Sequence, residues 1–312
     1  MRYLSIGEPL VEFSARADAP STFERRVGGD TLNTAIYLAR LSGPGQVGYL
    51  SCLGDDAHSI WLRQTIAAEG VDVSLLAQRR GARPGLSFIS TDATGERSFA
   101  YWREQAPFRR HFDDAARTVD LARADRLFLS AVALAVLTHE GRETLLQALA
   151  ERRAQGAAVI FDTNYRPALW PDVDTARAVI ARAASIATML LPSLDDLCAC
   201  FDVAQPEAAM QHLMTLSEAE IVLTTGGGSV LHRASGREAV HSHALPPAVD
   251  AVDTTGAGDS FNAAWLIARD RGLSVGDSIA RAARLATVVV RHPGAILPLD
   301  AMPELFVKEN AR

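Results

Sequence analysis

Nine residues near the C-terminal end, Asp253-Thr254-Thr255-Gly256-Ala257-Gly258-Asp259-Ser260-Phe261, constrain this chain more than any other stretch. They follow an apolar, strand-like passage ending in Ala251-Val252 and lead into residues 262–268, which have helix composition. The stretch therefore reads as a glycine-rich turn feeding the N-terminus of a buried helix. Such a turn leaves backbone N–H groups pointing outward and adds the positive end of the helix dipole. That combination binds anions, phosphates above all. Asp259 puts a carboxylate inside the same cradle. A carboxylate beside a phosphate is unfavourable unless it acts on the ligand, and the act that fits is accepting a proton from a hydroxyl that attacks phosphorus. Taken alone, Gly256-Ala257-Gly258-Asp259 reads equally well as a tight turn with a helix-capping Asp.

The rest of the chain alternates strands and helices. Buried strands are expected at 3–8, 47–54, 126–130, 158–162, 188–192 and 220–225. Helices are expected from Asp55-Asp56 to about Glu69, and over 139–155, 172–184 and 205–216. Such alternation implies βαβ units and a mostly parallel sheet covered on both faces, with ligands at the carboxyl ends of its strands. Gly7-Glu8, Asp162-Thr163-Asn164, Thr225-Gly226-Gly227-Gly228 and the 253–259 turn are all expected at that edge. Two segments, roughly 10–27 and 86–103, alternate apolar and polar residues instead, with turn chemistry at Asp92-Ala93-Thr94-Gly95-Glu96. They read as one small sheet packed over the cleft as a lid. Gly28-Gly29-Asp30-Thr31-Leu32-Asn33 is a second glycine turn that opens a helix and sets Asp30 and Asn33 in its first turn. Residues 226–228 also read as a plain hairpin turn, and Gly28-Gly29 as a hinge before an N-cap.

With 312 residues, the chain suits one large α/β domain over 1–312, and 48% hydrophobic residues supply a substantial core. A formal net charge of −6 argues against nucleic acid as the main partner. Residues 1–7 lack the apolar run and cleavage site of a signal peptide, and no apolar stretch reaches the ~20 residues that span a bilayer. Cys52, Cys198 and Cys200 fit neither a disulfide framework nor a zinc site, so reduced thiols in a cytoplasmic protein are expected. No G-x-G-x-x-G follows the first strand, which sets a dinucleotide-binding dehydrogenase aside.

The motif Asp253–Phe261, placed near the end of a chain of this length, resembles the signature of the ribokinase-like (PfkB) carbohydrate kinases. The resemblance implies a three-layer α/β/α fold with a small β-sheet lid. It implies that Asp259 is the catalytic base and that Gly256, Ala257 and Gly258 form the anion hole for the transferred phosphoryl group. It places ATP along Asn164, Thr225, Gly227 and Gly228, with Gly256 and Gly258 at its phosphates. Mg²⁺ is the expected divalent cation. Where the family shows an N-x-x-E pattern that holds metal-bound water, this chain has Ser193-Leu194-Asp195-Asp196, so Asp196 takes that place with a shorter reach. In some relatives a monovalent cation binds near the position of Asp253.

Gly28–Ala35, Pro84-Gly85-Leu86, Gly95-Glu96-Arg97, Tyr101-Trp102-Arg103, residues 162–170 and residues 294–298 narrow the resemblance to the branch of the family that phosphorylates the primary hydroxyl of 2-keto-3-deoxygluconate. That branch implies a sugar-acid pocket lined by Gly29, Asp30 and Asn33, with Tyr101 and Arg103 on the lid and Arg166 on the floor. The two arginines suit a carboxylate, which a neutral sugar lacks. Ser87 stands where some relatives present a Tyr. Rival readings are a fructose or ribose kinase of the same family, and a non-catalytic sugar-acid sensor. An exposed lid edge would favour a homo-oligomer paired through the lids. The tail from Lys308 is expected to fray.

Overall fold

The computed structural model describes residues 1–16, 19–91, 97–246 and 250–306. The chain runs β1 (Tyr3–Ile6), β2 (Leu10–Arg16), β3 (Ala19–Gly28), α1 (Asp30–Ser42), β4 (Val47–Leu53), α2 (Ala57–Ala68), β5 (Leu76–Gln78), β6 (Gly85–Thr91) and β7 (Arg97–Trp102). Two 3₁₀ segments, Pro107–Asp113 and Ala115–Arg123, lead to β8 (Arg126–Ser130), α3 (Ala131–Val136), α4 (His139–Ala154), β9 (Ala158–Asp162), α5 (Val173–Ile186), β10 (Met189–Leu190) and α6 (Leu194–Phe201). Then follow α7 (Pro206–Leu216), β11 (Glu220–Thr224), β12 (Ser229–Arg233), β13 (Val240–Ala244), α8 (Ala257–Asp270) and α9 (Val275–Val289).

A nine-stranded sheet runs in the order β13-β12-β11-β10-β9-β8-β1-β4-β5. It is parallel from β5 to β11, and β12 and β13 add an antiparallel edge. Its central strands are buried end to end because helices cover both faces: every residue of β1 and β4 is buried. One face carries a core built around Leu127, Leu145, Phe161, Ile180 and Leu213, the other a core around Ile36, Leu62, Trp265 and Leu285. The expected three layers are therefore present.

A second sheet of four strands, β3-β2-β6-β7, joins the two lid segments. β2 and β6 pair in parallel, Leu10 opposite Gly85, and each carries an antiparallel outer neighbour. Phe13 stacks on Phe88 at 5.1 Å across that central pair, and Trp102 meets the Phe88 edge at 4.7 Å. The expected turn at 92–96 and the tail from Lys308 lie outside the described residues.

Residues 251–252 are not strand. The Val252 and Asp253 N–H groups both donate to the Val290 carbonyl, at 2.8 and 3.1 Å, so the partner of this segment is the C-terminal turn of α9 and not a sheet edge. The strand-like composition there reflects apolar residues in a loop. The 253–259 turn consequently reaches the cleft from a loop, whereas Glu8, Asp162 and Thr225 lie at the ends of β1, β9 and β11 as expected. β5, β13, α3, α6, α9 and the 3₁₀ segments are further elements that the local pattern left unassigned.

Trp265 lies on α8 with no exposed surface and packs in the same core as α1 and α9. Trp265→Ala should cost about 3–5 kcal/mol of stability, the range for emptying an aromatic core site. Chemical denaturation of the two proteins side by side measures it, and a loss below about 1 kcal/mol would mean that the core collapses to fill the gap.

Candidate active site

Two helices point their N-termini at one spot. α1 begins at Asp30 behind Gly29, and α8 begins at Ala257 behind Gly256. Both preceding glycines have positive φ, +114° and +77°. A side chain at Gly29 would also meet the Glu8 carbonyl oxygen at 2.4 Å, and one at Gly256 would meet the Ala295 backbone at 2.7 Å. These turns therefore exclude side chains on conformational and steric grounds together. Beside Gly258, by contrast, lies open space where a Cβ would project. The turn before α8 is tied down by Asp253. Its Oδ1 accepts from Thr255 N and Oγ1, at 3.0 and 2.7 Å, and its Oδ2 accepts from Gly294 N at 2.7 Å.

Asp259 sits in the first turn of α8 and is only 9% exposed. Asn33, from the first turn of α1, donates its Nδ2 hydrogen to Asp259 Oδ2 at 2.8 Å. Burial pushes the Asp259 carboxyl up to about 8, with the Asp30 charge adding to it and the Asn33 hydrogen bond and Arg166 pulling it back. A carboxyl poised near neutrality suits a group that must take up a proton during turnover.

Around Asp259 the ends of β1 and β9 contribute further groups. Asp162, the last residue of β9, accepts from Asn262 Nδ2 at 2.9 Å and from Asn164 N at 3.0 Å. Burial raises its carboxyl well above the usual range, and Asp196, Asp259 and Asp30 push in the same direction. Asn164 turns its side chain to Asp30, Nδ2 to Oδ2 at 2.6 Å. Glu8 is held in an ion pair by Arg103, whose Nε donates to Oε2 at 2.9 Å and whose Nη2 shares the same oxygen. Among the described residues, Glu8 Oε1, Asn33 Oδ1 and Thr163 Oγ1 are buried without a hydrogen-bond partner. Unsatisfied buried polar atoms are costly unless a ligand completes them.

The lid supplies Arg103 just after β7, and Tyr101 lies opposite the buried Ser87 of β6. Arg166, whose side chain is 56% exposed, donates to Asp196 Oδ1 at 3.1 Å and to the Tyr165 carbonyl at 2.8 Å. Asp196 is thus occupied by a cation of this chain. Ser193 acts as the N-cap of α6, its Oγ accepting from Asp196 N at 3.1 Å, so the Ser193–Asp196 stretch has a local structural use. Thr225 and the three glycines after it form the turn joining β11 to β12, with Thr225 Oγ1 accepting from Ser229 N at 3.0 Å.

The structure therefore brings Asp30, Asn33, Asn164 and Asp259 together, and brings Arg103 to Glu8 and Arg166 to Asp196. Sequence reasoning named Gly7-Glu8 and Asp162 only as strand ends, and it passed over Asn262. The spacing of Asn262, three residues after Asp259 on the same helix, is the signal that could have found it. Among the described residues no group of three or more His, Cys, Asp and Glu converges to cage a metal ion. Among the described residues no helix is long and apolar enough to cross a membrane.

A family model described as pfkB family carbohydrate kinase matches residues 2–302. The chain is 37% identical to the 2-dehydro-3-deoxygluconokinase of Escherichia coli (strain K12), over 96% of this chain and 97% of that one. It is 32% identical to the enzyme of the same name from Haemophilus influenzae, over 98% of each. Among solved structures, a fructokinase with bound ATP from Xylella fastidiosa superposes with a TM-score of 0.82 at 24% identity, covering 97% of this chain and 95% of that one. With a family model spanning nearly its whole length and relatives this close, the chain belongs to the pfkB family of carbohydrate kinases.

Proposed function

We propose that this kinase transfers the γ-phosphoryl group of ATP to the primary hydroxyl of 2-dehydro-3-deoxygluconate, giving the 6-phosphate. The observation that carries the reading is the buried Asp259 carboxyl at the mouth of a glycine turn, hydrogen-bonded to Asn33 and raised to about 8. Relatives of the same name at 32% and 37% identity support the choice of acceptor.

The acceptor hydroxyl lies against Asp259, which takes its proton as the oxygen attacks phosphorus. The proton passes from the hydroxyl to the carboxylate, the new O–P bond forms, and the bond from phosphorus to the leaving ADP oxygen breaks. Backbone N–H groups of residues 256–258 face the transferred group and stabilise its charge. The open space beside Gly258 lets a phosphate approach that backbone. Glu8 Oε1, Asn33 Oδ1 and Thr163 Oγ1 await partners, and hydroxyl groups of a sugar acid would satisfy them. Arg166 meets the substrate carboxylate from the floor, where it would exchange Asp196 for the ligand. Arg103 and Tyr101 close from the lid and exclude water, with Glu8 fixing the Arg103 guanidinium. Thr225, Gly227 and Gly228 lie along the nucleotide, and Asn164 serves the cleft through Asp30.

Among the described residues the carboxylates build no protein cage for a metal, which fits a Mg²⁺ ion that would arrive with the nucleotide. Such an ion keeps most of its water and phosphate ligands and needs few from protein, so Asp196 would hold it through water. Bound there, Mg²⁺ neutralises charge on the phosphate oxygens. No step is assigned to a monovalent cation. We treat residues 1–312 as one catalytic domain in the cytoplasm. Phe23 and Trp102, exposed on the lid sheet and both packed on Phe88, support pairing of two copies through it.

Asp259→Asn keeps the shape of the site and removes the base. Turnover should fall by ~10²–10⁴-fold with little change in substrate KM. A variant that kept more than about a tenth of wild-type turnover would have its proton taken elsewhere.

The raised Asp259 carboxyl also sets a pH dependence. Below about 8 the group is protonated in the folded chain, so kcat/KM should climb as pH rises toward that value. For stability the sign is opposite. The folded state holds this proton more tightly than the unfolded state, so its contribution is complete below the unfolded carboxyl value and is lost as pH rises through about 8. Asp259→Asn has no proton to lose. The variant should therefore melt at a higher temperature than wild type at pH 9 and close to it at pH 5. Equal melting differences at both pH values would show that Asp259 ionises as an ordinary carboxylate.

A further inference from the structure

A cavity of about 320 Å³ opens at the far edge of the large sheet, beyond the ends of β4 and β5. Arg79, Arg80, Arg110 and Arg117 line it, with Cys52 and His111 among them. The one carboxylate in its wall is Asp114. On a chain whose formal net charge is −6, this is a local concentration of positive charge. The pairs that temper it are long, exposed and close in sequence: Arg117 to Asp114 at 3.5 Å, and Arg110 to Asp113 at 3.4 Å. Such pairs hold their guanidinium groups weakly, so a better anion would displace them.

His111 is the second observation. It is 4% exposed, wedged between Phe108 and Phe112 at ring distances of 6.4 and 4.9 Å. Its Nε2 is buried without a hydrogen-bond partner among the described residues. Burial, with Arg117 and Arg79 adding to it, holds the imidazole down to about 4, so the ring is neutral and has one N–H to donate. His111 is one of the lining residues, so its neutral ring adds a polar edge to a wall of four arginines without adding to their charge.

The walls of this cavity are the two legs of the lid. Residues 79–84 carry the chain from β5 up into β6, and residues 103–117 bring it back from β7. The first leg is anchored on the sheet through Arg79 N to the Leu53 carbonyl at 2.8 Å, and through Gly81 N to Asp55 Oδ1 at 2.9 Å. The second is anchored by Phe108 and Phe112 in the core. The legs meet at one long hydrogen bond, Arg79 Nη2 to the Arg110 carbonyl at 3.4 Å.

We propose that this cavity binds the phosphoryl dianion of a small molecule, separately from the turn at Gly256–Gly258, and that the bound dianion ties the two lid legs together. Guanidinium forks from Arg79 and Arg80 on one leg and from Arg110 and Arg117 on the other match phosphoryl oxygens in pairs. The volume falls at the low end of ligand pockets, which run to roughly 300–1,000 Å³, and so suits orthophosphate or a phosphate ester on a short carbon chain. Tying the legs changes how readily the lid closes on the sugar side, so occupancy is read in the KM of the acceptor.

The test uses the full-length protein and its Arg80→Ala/Arg117→Ala variant, whose replaced side chains are exposed and outside the catalytic cleft. Isothermal titration with sodium orthophosphate, and separately with glycerol 3-phosphate, should show binding that weakens at least tenfold in the variant and persists in Asp259→Asn. Tighter binding of the ester identifies a phosphorylated metabolite as the ligand, and equal binding identifies free phosphate. Acceptor KM should shift with the bound anion in wild type and not in the variant, while activity without the anion stays equal in both. Isotherms that match between wild type and variant, or no binding to wild type, would overturn the site. Binding without any shift in KM would overturn its coupling to the lid.

Discussion

The hydrogen bond from Asn33 to Asp259 joins two helices whose N-termini meet across a sequence separation of 226 residues. Everything at the cleft follows from that meeting. Two dipoles bring their positive ends together, which makes the spot suitable for phosphate, while burial makes it hostile to the carboxylate placed there. The two effects oppose each other, and burial prevails for the isolated group, since the Asp259 carboxyl stands at about 8. A helix terminus contributes at most ~2 kcal/mol in partly buried geometries, too little to offset a shift of this direction and size. The site is thus built at the expense of stability near and above neutral pH, the arrangement expected where a group is placed for chemistry and not for folding.

The positions of these groups are set by the fold around them. α8 carries Asp259 and Asn262 in its first two turns and the fully buried Trp265 one turn further on. Asn262 reaches Asp162 at the end of β9, and Asn164 of the following loop reaches Asp30 at the start of α1. A ring of amide-to-carboxylate contacts therefore links α1, α8 and the β9 end. The lid is attached to this ring through the strand end of β1, where Glu8 receives Arg103. Its legs line the arginine-rich cavity where they meet the sheet.

Much of this was legible in the sequence because local patterns encode it. Apolar runs such as Tyr3–Ile6 and Val47–Leu53 are strands covered on both faces, and the alternation at 10–27 and 86–103 became the small sheet. The Asp253–Phe261 motif marked the α8 turn because glycine, and only glycine, fits a positive φ pressed against Ala295. What stayed hidden lies in contacts between distant residues. Glu8 and Arg103 were each noticed, but nothing local says that they pair across 95 positions. Apolar Ala251-Val252 looked like a strand, yet strands need a neighbour, and this segment found the Val290 carbonyl instead. Ser193 caps α6 and Arg166 reaches Asp196 from 30 positions away, a pairing that no local pattern announces. Asn164 meets Asp30 across 134 positions, another contact that no local pattern encodes.

The central claim is that a base and an anion turn act on an acceptor whose carboxylate is met by Arg166. The most direct measurement compares ATP-dependent phosphorylation of 2-dehydro-3-deoxygluconate, fructose and ribose by the wild-type enzyme and by Arg166→Ala. The account predicts a preference for the keto-deoxy acid that collapses in the variant by about tenfold or more, the scale of a lost charge-assisted hydrogen bond. A wild-type preference for fructose or ribose would contradict the carboxylate reading while leaving Asp259 as the base. Absence of turnover with every acceptor would contradict the account as a whole.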